Sequence, residues 1–364
     1  MVDLQRIFPR AELTSWSSRA VLADFDWRMR CRFPLVRVAE AQRRPDISLD
    51  FIAQLRSLPA FERYRYARTG GVNDIRAEMS LQCPVPPRST QDELLAQTHA
   101  LVEENMKLYR SAQEEQRTGL DVLERALRIL RGERRVFGPF VLGSADGIPS
   151  WSARVNCSVR TWECHTARRT LGNILRTPIN RNRQGPLGFD RENGAAAVVC
   201  LKGGEVGRGE LKNVPPKTEL AGLQSQRWRE VPEGCVLLCL RHQGSLLYWL
   251  NDGSLHAPVV IESRDFAVLD PNEDWVDSRF LNLVFRLDYV YDQVRLISTG
   301  ANVGRIVLSR LPLVSLPMPE VGAQQEIVRQ VEPYFRSARE TLARIGENKR
   351  RAVRQWERRL FNEN

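Results

Sequence analysis

Pro317-Met318-Pro319 and, a few residues on, Gln324-Gln325-Glu326-Ile327-Val328 restate what the chain has already said at Pro84-Val85-Pro86 and Gln91-Asp92-Glu93-Leu94-Leu95. In both copies the Gln stands seven residues after the first proline. Upstream, Thr69-Gly70 answers Thr299-Gly300, and the Phe-led runs Phe51-Ile52-Ala53-Gln54-Leu55 and Phe280-Leu281-Asn282-Leu283-Val284 answer each other. Downstream, both copies end in a long charged segment. Residues 51–130 and 280–361 therefore follow one plan, and a repeat of this length predicts a duplicated structural unit.

The charged segments read as helices. In 92–131, Leu94, Leu95, Leu101, Val102, Leu108, Tyr109, Ala112, Leu120, Leu123, Leu127 and Leu130 recur mostly at steps of three, four or seven. That spacing is an apolar seam. Ser89 or Thr90 is placed to cap it and Gly132 to stop it, while Gly119 weakens its middle. In 322–361 the seam is Ile327, Val331, Tyr334 or Phe335, Ala338, Leu342, Ile345, Ala352, Trp356 and Leu360, with a kink or restart predicted at Pro333. At 1.5 Å per residue, each segment is long enough to span about 60 Å. The first helix is the more acidic and the second carries a run of arginines. Opposite balances favour their pairing.

Residues 133–320 read as a mixed α+β globule. Strands are predicted at Ala195–Leu201, Cys235–Leu240, Ser245–Leu250, Pro258–Glu262 and Phe266–Leu269, and a helix at about 275–295. Gly203-Gly204, Pro215-Pro216, Asn251-Asp252-Gly253 and Asp270-Pro271-Asn272 supply turns. Residues 1–88 form a smaller globule. It holds a strand start at Phe33–Val38 and the closing part of the repeat, but lacks most of the body present in the second copy.

Hydrophobic content of 42% is ordinary for a globular protein, and no run of about 18 apolar residues suggests a membrane span. The start, Met1-Val2-Asp3-Leu4-Gln5-Arg6, lacks a secretory pattern, so a cytoplasmic location is expected. Seven cysteines, an odd and scattered set, argue for reduced thiols. Cys235, Cys239 and His242 do not share a strand face, and Cys157 with Cys164-His165 is loosely spaced, so core packing is favoured over metal binding.

The formal charge of +10 suggests a polyanionic partner, although it also serves solubility. The densest stretch of groove- and phosphate-reaching side chains is Arg168, Arg169, Arg176, Asn180, Arg181, Asn182, Arg183 and Gln184. Arg bridges guanine O6/N7, and Asn or Gln bridges adenine N6/N7. Pro178 and Gly185 bracket it as a loop, a composition that a plain solvated loop shares. Lys202, Arg208 and Lys212 lie in or near a glycine-rich stretch suited to phosphates, and Arg241, His242 and Gln243 are read as a tip between strands. The four histidines stand apart. No nucleotide-binding, ATPase or methyltransferase signature is found, nor a clustered-acid nuclease site. No catalytic, cofactor or metal residue is assigned.

The ordered pattern resembles the specificity subunit of type I restriction-modification systems. It comprises a Phe-led helix, a Thr-Gly loop, Pro-x-Pro, a Gln-Glu-Ile step and a long charged helix. The clearest stretch runs from Ser298-Thr299-Gly300-Ala301-Asn302-Val303 to Val328. Val198–Glu205 and Val231–Leu238 are similar to that family's target recognition domain. The resemblance covers roughly two thirds of the chain. It implies an α+β, internally repeated fold: a target recognition domain of mixed sheet and helices, plus two long helices forming an antiparallel coiled coil. The division implied is a truncated recognition-like domain at 1–91, spacer helices at 92–131 and 321–364, and the recognition domain at 132–320. It also implies a non-catalytic chain that binds double-stranded DNA and whose helices dock two adenine methyltransferase subunits, with a motor-nuclease recruited. S-adenosylmethionine and ATP would sit on those partners. The missing middle of the first copy leaves a second reading open, a structural adaptor of a defence assembly with degenerate DNA recognition.

Overall fold

The computed structural model describes residues 23, 26–69, 78–136, 158–179, 197–219, 228–242, 245–262, 265–299 and 304–362. It is a mixed helix-and-sheet protein that divides into two compact units. Unit 1 comprises residues 1–114 with 337–364, and unit 2 residues 115–336, so each long helix contributes to both.

In unit 1, a helical segment at 26–30 precedes β1 (Leu35–Arg37), α1 (Val38–Ala41), α2 (Leu49–Arg56), α3 (Pro59–Thr69), β2 (Gln82–Pro84) and the long α4 (Arg88–Ala126). Strands β1 and β2 pair antiparallel with Val36 opposite Cys83. Ser48 caps α2 by accepting from the Phe51 amide. The core is aromatic. Trp27 stacks on Tyr64 at 4.6 Å and meets Phe361 at 4.9 Å, and Phe51 lies on Trp356 at 5.4 Å. Leu94, Leu95, Trp356 and Leu360 from the long helices are buried in this same core. The small globule closes only on those helical segments, as its short sheet supplies little apolar surface.

Unit 2 begins with β3 (Ile129–Val136) and β4 (Ser158–Cys164), then β5 (Arg168–Thr170), β6 (Ala197–Leu201), β7 (Lys217–Glu219) and β8 (Trp228–Val231). It continues through β9 (Val236–Cys239), β10 (Arg241–His242), β11 (Tyr248–Leu250), β12 (Val259–Glu262) and β13 (Phe266–Leu269). The end of the unit holds α5 (Ser278–Val284), α6 (Asp288–Leu296), β14 (Ser298–Thr299), β15 (Gly304–Ile306), β16 (Ser315–Pro317) and α7 (Val321–Leu360). Sheets run β11-β9-β13, β7-β6-β12-β8 and β10-β15-β14, with the pairs β16-β5 and β3-β4. Among the described strand pairs only β12 with β6 is parallel, and the isolated bridge of Arg208 with Tyr248 is parallel too. Strand β9 is buried on both faces. Val236 and Leu238 enter one apolar cluster, while Leu237 and Cys239 enter the other. Two buried faces explain why this strand reads as one continuous apolar run.

The long helices touch within each unit. Within unit 1, Arg359 donates to Glu93 (2.6 Å), Gln355 to Gln97 (2.8 Å), Trp356 to Thr98 (2.9 Å) and Asn348 to Asn105 (3.1 Å). The partner number falls as the α4 number rises, so these segments run antiparallel. Within unit 2, Leu123 and Leu127 share a core with Val331 and Phe335.

Several sequence expectations are corrected. Helix α4 stops at Ala126, not near Gly132, because Arg128 adopts φ 49° and residues from Ile129 pair with β4. A left-handed residue cannot continue the helix. Val102 and Tyr109 lie outside the seam, about half exposed. Gly119 is no weak spot: a Cβ there would lie 3.0 Å from Tyr334 Cβ, so glycine permits close helix approach. Pro333 lies inside an uninterrupted α7, held by buried Val331 and Phe335 on either side. The helix expected over 275–295 is two helices, broken at the buried Phe285-Arg286-Leu287.

Candidate nucleic-acid interface

The point from which the site hangs is a glutamine. Gln324 is fully buried at the start of α7. Its Oε1 accepts from the amide of Asp277 (2.9 Å), and its Nε2 donates to the carbonyls of Trp275 (2.9 Å) and Pro319 (2.8 Å). Asp277 in turn caps α5, accepting from the Arg279 and Phe280 amides. One side chain thus fixes the loop at 270–277, the start of α5 and the Pro-x-Pro segment on the long helix. Buried polar groups of this kind hold because every partner is satisfied.

Gln91 does the same in unit 1. It is also fully buried. Its Oε1 accepts from the amide of Ser48 (2.9 Å), the cap of α2, and its Nε2 donates to the carbonyls of Asp46 (3.2 Å) and Pro86 (2.9 Å). The sequence singled out both glutamines by spacing but gave no sign that they were buried clamps.

The 270–277 loop gathers part of the predicted site. Arg169, on β5, lies over the half-exposed ring of Trp275 at 3.8 Å. Arg176 pairs with Glu273 (3.1 Å), and its amide donates to Asp270. Arg168 and Arg169 share β5, which pairs with β16 so that Arg168 stands opposite Pro317, the first proline of the Pro-x-Pro. All three arginines are exposed, while Leu171, Ile174 and Ile179 anchor the segment in the core. This combination of an anchored backbone and outward guanidiniums can hold phosphate oxygens or base edges. Asn180, Arg181, Asn182, Arg183, Gln184 and Gln243 lie outside the described residues.

A second group lies around Cys239. Lys202 and Lys212 are exposed on a hairpin in which Val206 bridges Leu211. Gly209 (φ 81°) lets the hairpin pass close to Arg286 and donate to the Tyr248 carbonyl at 2.8 Å. Arg241 is exposed and pairs with Asp265 at 3.3 Å. Burial raises the Cys239 thiol pKa, and the charges of Arg241 and Lys212 act against that rise, so both cations lie within electrostatic reach of it.

Two predicted positions serve the fold. Arg208 donates to the Arg286 carbonyl and lies 3.9 Å from the Asp288 carboxylate, so its guanidinium is held at the core edge. His242 is not at an exposed tip. It is buried against Ser298 Oγ (2.9 Å), and desolvation lowers its pKa. Gly304 opposite it has no room for a Cβ.

The described cysteines are free thiols. Burial pushes Cys31 and Cys83 up to about 12 and Cys235 to about 11, so all three stay protonated. Cys235 and Cys239 lie in the core as expected. Among the described residues, no group of His, Cys, Asp or Glu could hold a metal, and no helix is long and apolar enough to cross a membrane.

No family model matches the chain, and no curated protein matches it. Solved structures that align at low similarity include two of type I restriction-modification proteins. The HsdS subunit from Thermoanaerobacter tengcongensis is 15% identical, with 85% of this chain and 65% of that one covered and a TM-score of 0.32. A chain from a structure of complex assembly and conformational transition of the type I R-M system is 16% identical. There, 82% of this chain and 70% of that one are covered, at a TM-score of 0.34. This chain therefore spans a little under two thirds of the first chain's length.

Proposed function

We propose that the chain is the DNA-specificity subunit of a type I-like restriction-modification complex. Residues 132–320 read double-stranded DNA, and the helices at 92–131 and 321–364 form an antiparallel coiled-coil spacer that docks an adenine methyltransferase. Residues 1–91 are a truncated recognition domain that closes the spacer's other end. S-adenosylmethionine and ATP would belong to the partner subunits, including a motor-nuclease. The chain itself performs no chemistry and works in the cytoplasm.

The observation that carries this reading is the glutamine clamp made twice. Each clamp joins a Pro-x-Pro segment and a long helix to the start of a Phe-led helix. That is the joint a duplicated recognition-plus-spacer unit requires. Only the joint at Gln324 also carries a large sheet-bearing body with exposed arginines.

Replacing Arg181 and Arg183 together with Ala tests the reading. Loss of one or two base or phosphate contacts should weaken binding to the target duplex by about tenfold to a hundredfold. Unchanged affinity in a gel-shift series removes the assignment of that loop.

A further inference from the structure

Arg169 is exposed, yet its guanidinium is held in place. It lies 3.8 Å over the ring of Trp275, and among the described residues it makes no ion pair or side-chain hydrogen bond. Stacking on an indole face fixes the plane of a guanidinium while leaving its N–H donors open.

Both side chains stand on anchored backbone. Arg169 pairs in β5 with the fully buried Leu316 of β16. The Trp275 carbonyl accepts from Gln324 Nε2 (2.9 Å), and its amide donates to the Asn272 carbonyl (2.9 Å). The Asn272 amide donates to the carbonyl of the fully buried Ile174 (2.8 Å), and Val276, next in the chain, is fully buried as well. The indole itself is 43% exposed. A large aromatic facing solvent on an anchored loop marks a surface that meets a partner.

The corresponding position in unit 1 has different chemistry. Gln91 Nε2 donates to the carbonyl of Asp46, two residues before the cap Ser48, just as Gln324 Nε2 donates to that of Trp275, two residues before the cap Asp277. Asp46 is exposed and pairs with Arg44 at 2.6 Å. The clamp therefore needs neither an aromatic nor a stacked arginine. Of the two joints, only the one that bears the sheet-rich body has them.

The surroundings favour a base edge over a phosphate. Glu273 and Asp274 immediately precede Trp275, and both are exposed. Their carboxylates oppose a phosphate backbone, whereas a carboxylate can accept from cytosine N4. A planar fork held in one orientation matches guanine O6 and N7.

We infer that Trp275 positions Arg169 to read a guanine edge, so that this pair is a specificity determinant of residues 132–320. Trp275 is a positioning residue that acts through the arginine. This rests on the DNA-reading role proposed above, and it adds which side chain reads and what holds it.

The test uses duplexes carrying the motif that methylation mapping assigns to this chain, with each G·C pair replaced by A·T in turn. The full chain is titrated against them, and against a scrambled duplex, in gel shifts. R169A should lose discrimination at one G·C pair by about tenfold to a hundredfold and keep it at the others. Its affinity for the scrambled duplex should stay at the wild-type level. W275L should lose discrimination at the same pair, and W275F, which keeps a ring face, should retain it. Unchanged discrimination by R169A or by W275L, or a W275F as defective as W275L, overturns this inference alone. Equal weakening on every duplex by R169A, with a salt slope lower by about one, gives the arginine to a phosphate and also overturns it. A wild-type chain that prefers no motif over the scrambled duplex removes the functional reading, and this inference with it.

Discussion

The joints at Gln91 and Gln324 use the same three backbone partners, yet they serve bodies of very different size. At Gln324 the clamp holds a unit whose strand β9 is buried on both faces. At Gln91 it holds a small aromatic core completed by Trp356 and Leu360 of α7 and by Phe361 just after it. The joint is thus the shared element, and the bodies attached to it differ. The smaller one closes its core on the end of the long helix α7.

The comparison can be broken first at its largest side chains. Phe51 and Phe280 are the matching first-turn residues, and both are fully buried. Phe51→Ala and Phe280→Ala should each cost about 3–5 kcal/mol. Amide exchange should show the first loosening residues 26–69 and the second loosening 265–299. Equal loosening of both units by either variant would mean that the joints are not independent.

Gln91→Leu and Gln324→Leu sharpen the comparison. Each strands one amide and two carbonyls, so each should cost about 3 kcal/mol in chemical denaturation. A large cost at one joint with none at the other would show that the two clamps do different work. Gly119→Val should follow at about 1–3 kcal/mol, because the new side chain meets Tyr334 and Phe335 of α7 in unit 2. Its effect should appear in unit 2 exchange first.

The smallest effect separates the units by pH. The folded His242 pKa lies below the ordinary 6.5, because burial disfavours the imidazolium. The unfolded chain therefore binds the proton more readily, and His242's contribution to stability is complete above about pH 6.5 and declines as pH falls below it. Unit 2 protection should drop between pH 7 and 5, and H242Q should remove that part of the drop. An identical drop in H242Q would assign it to other groups.

Much of this architecture was legible because periodicity and punctuation carried it. The seam residues of α7, from Ile327 to Leu360, and the strand run Cys235–Leu240 emerged almost as read. What remained hidden depended on distant partners. Arg128 ends α4 in a left-handed turn that no propensity marks. Gly119 looks like a defect until the facing helix is placed, and His242 looks like a loop tip until Ser298 and Gly304 close over it. Gln91 and Gln324 were visible as a repeat, but their burial follows from backbone groups contributed by segments some 40 to 50 residues earlier. At the candidate interface, sequence grouped Arg168, Arg169 and Arg176, and the last two meet the 270–277 loop. It missed Trp275, whose only signal was an aromatic beside the Asp270-Pro271-Asn272 turn. It also could not tell that Arg208 is held by Arg286 and Asp288.

The most direct test of the central claim is genome-wide methylation mapping in the host with and without this chain. A single recognition unit reading DNA for an attached methyltransferase predicts that methylation disappears at one sequence motif when the chain is removed. An unchanged methylation pattern would contradict a specificity role.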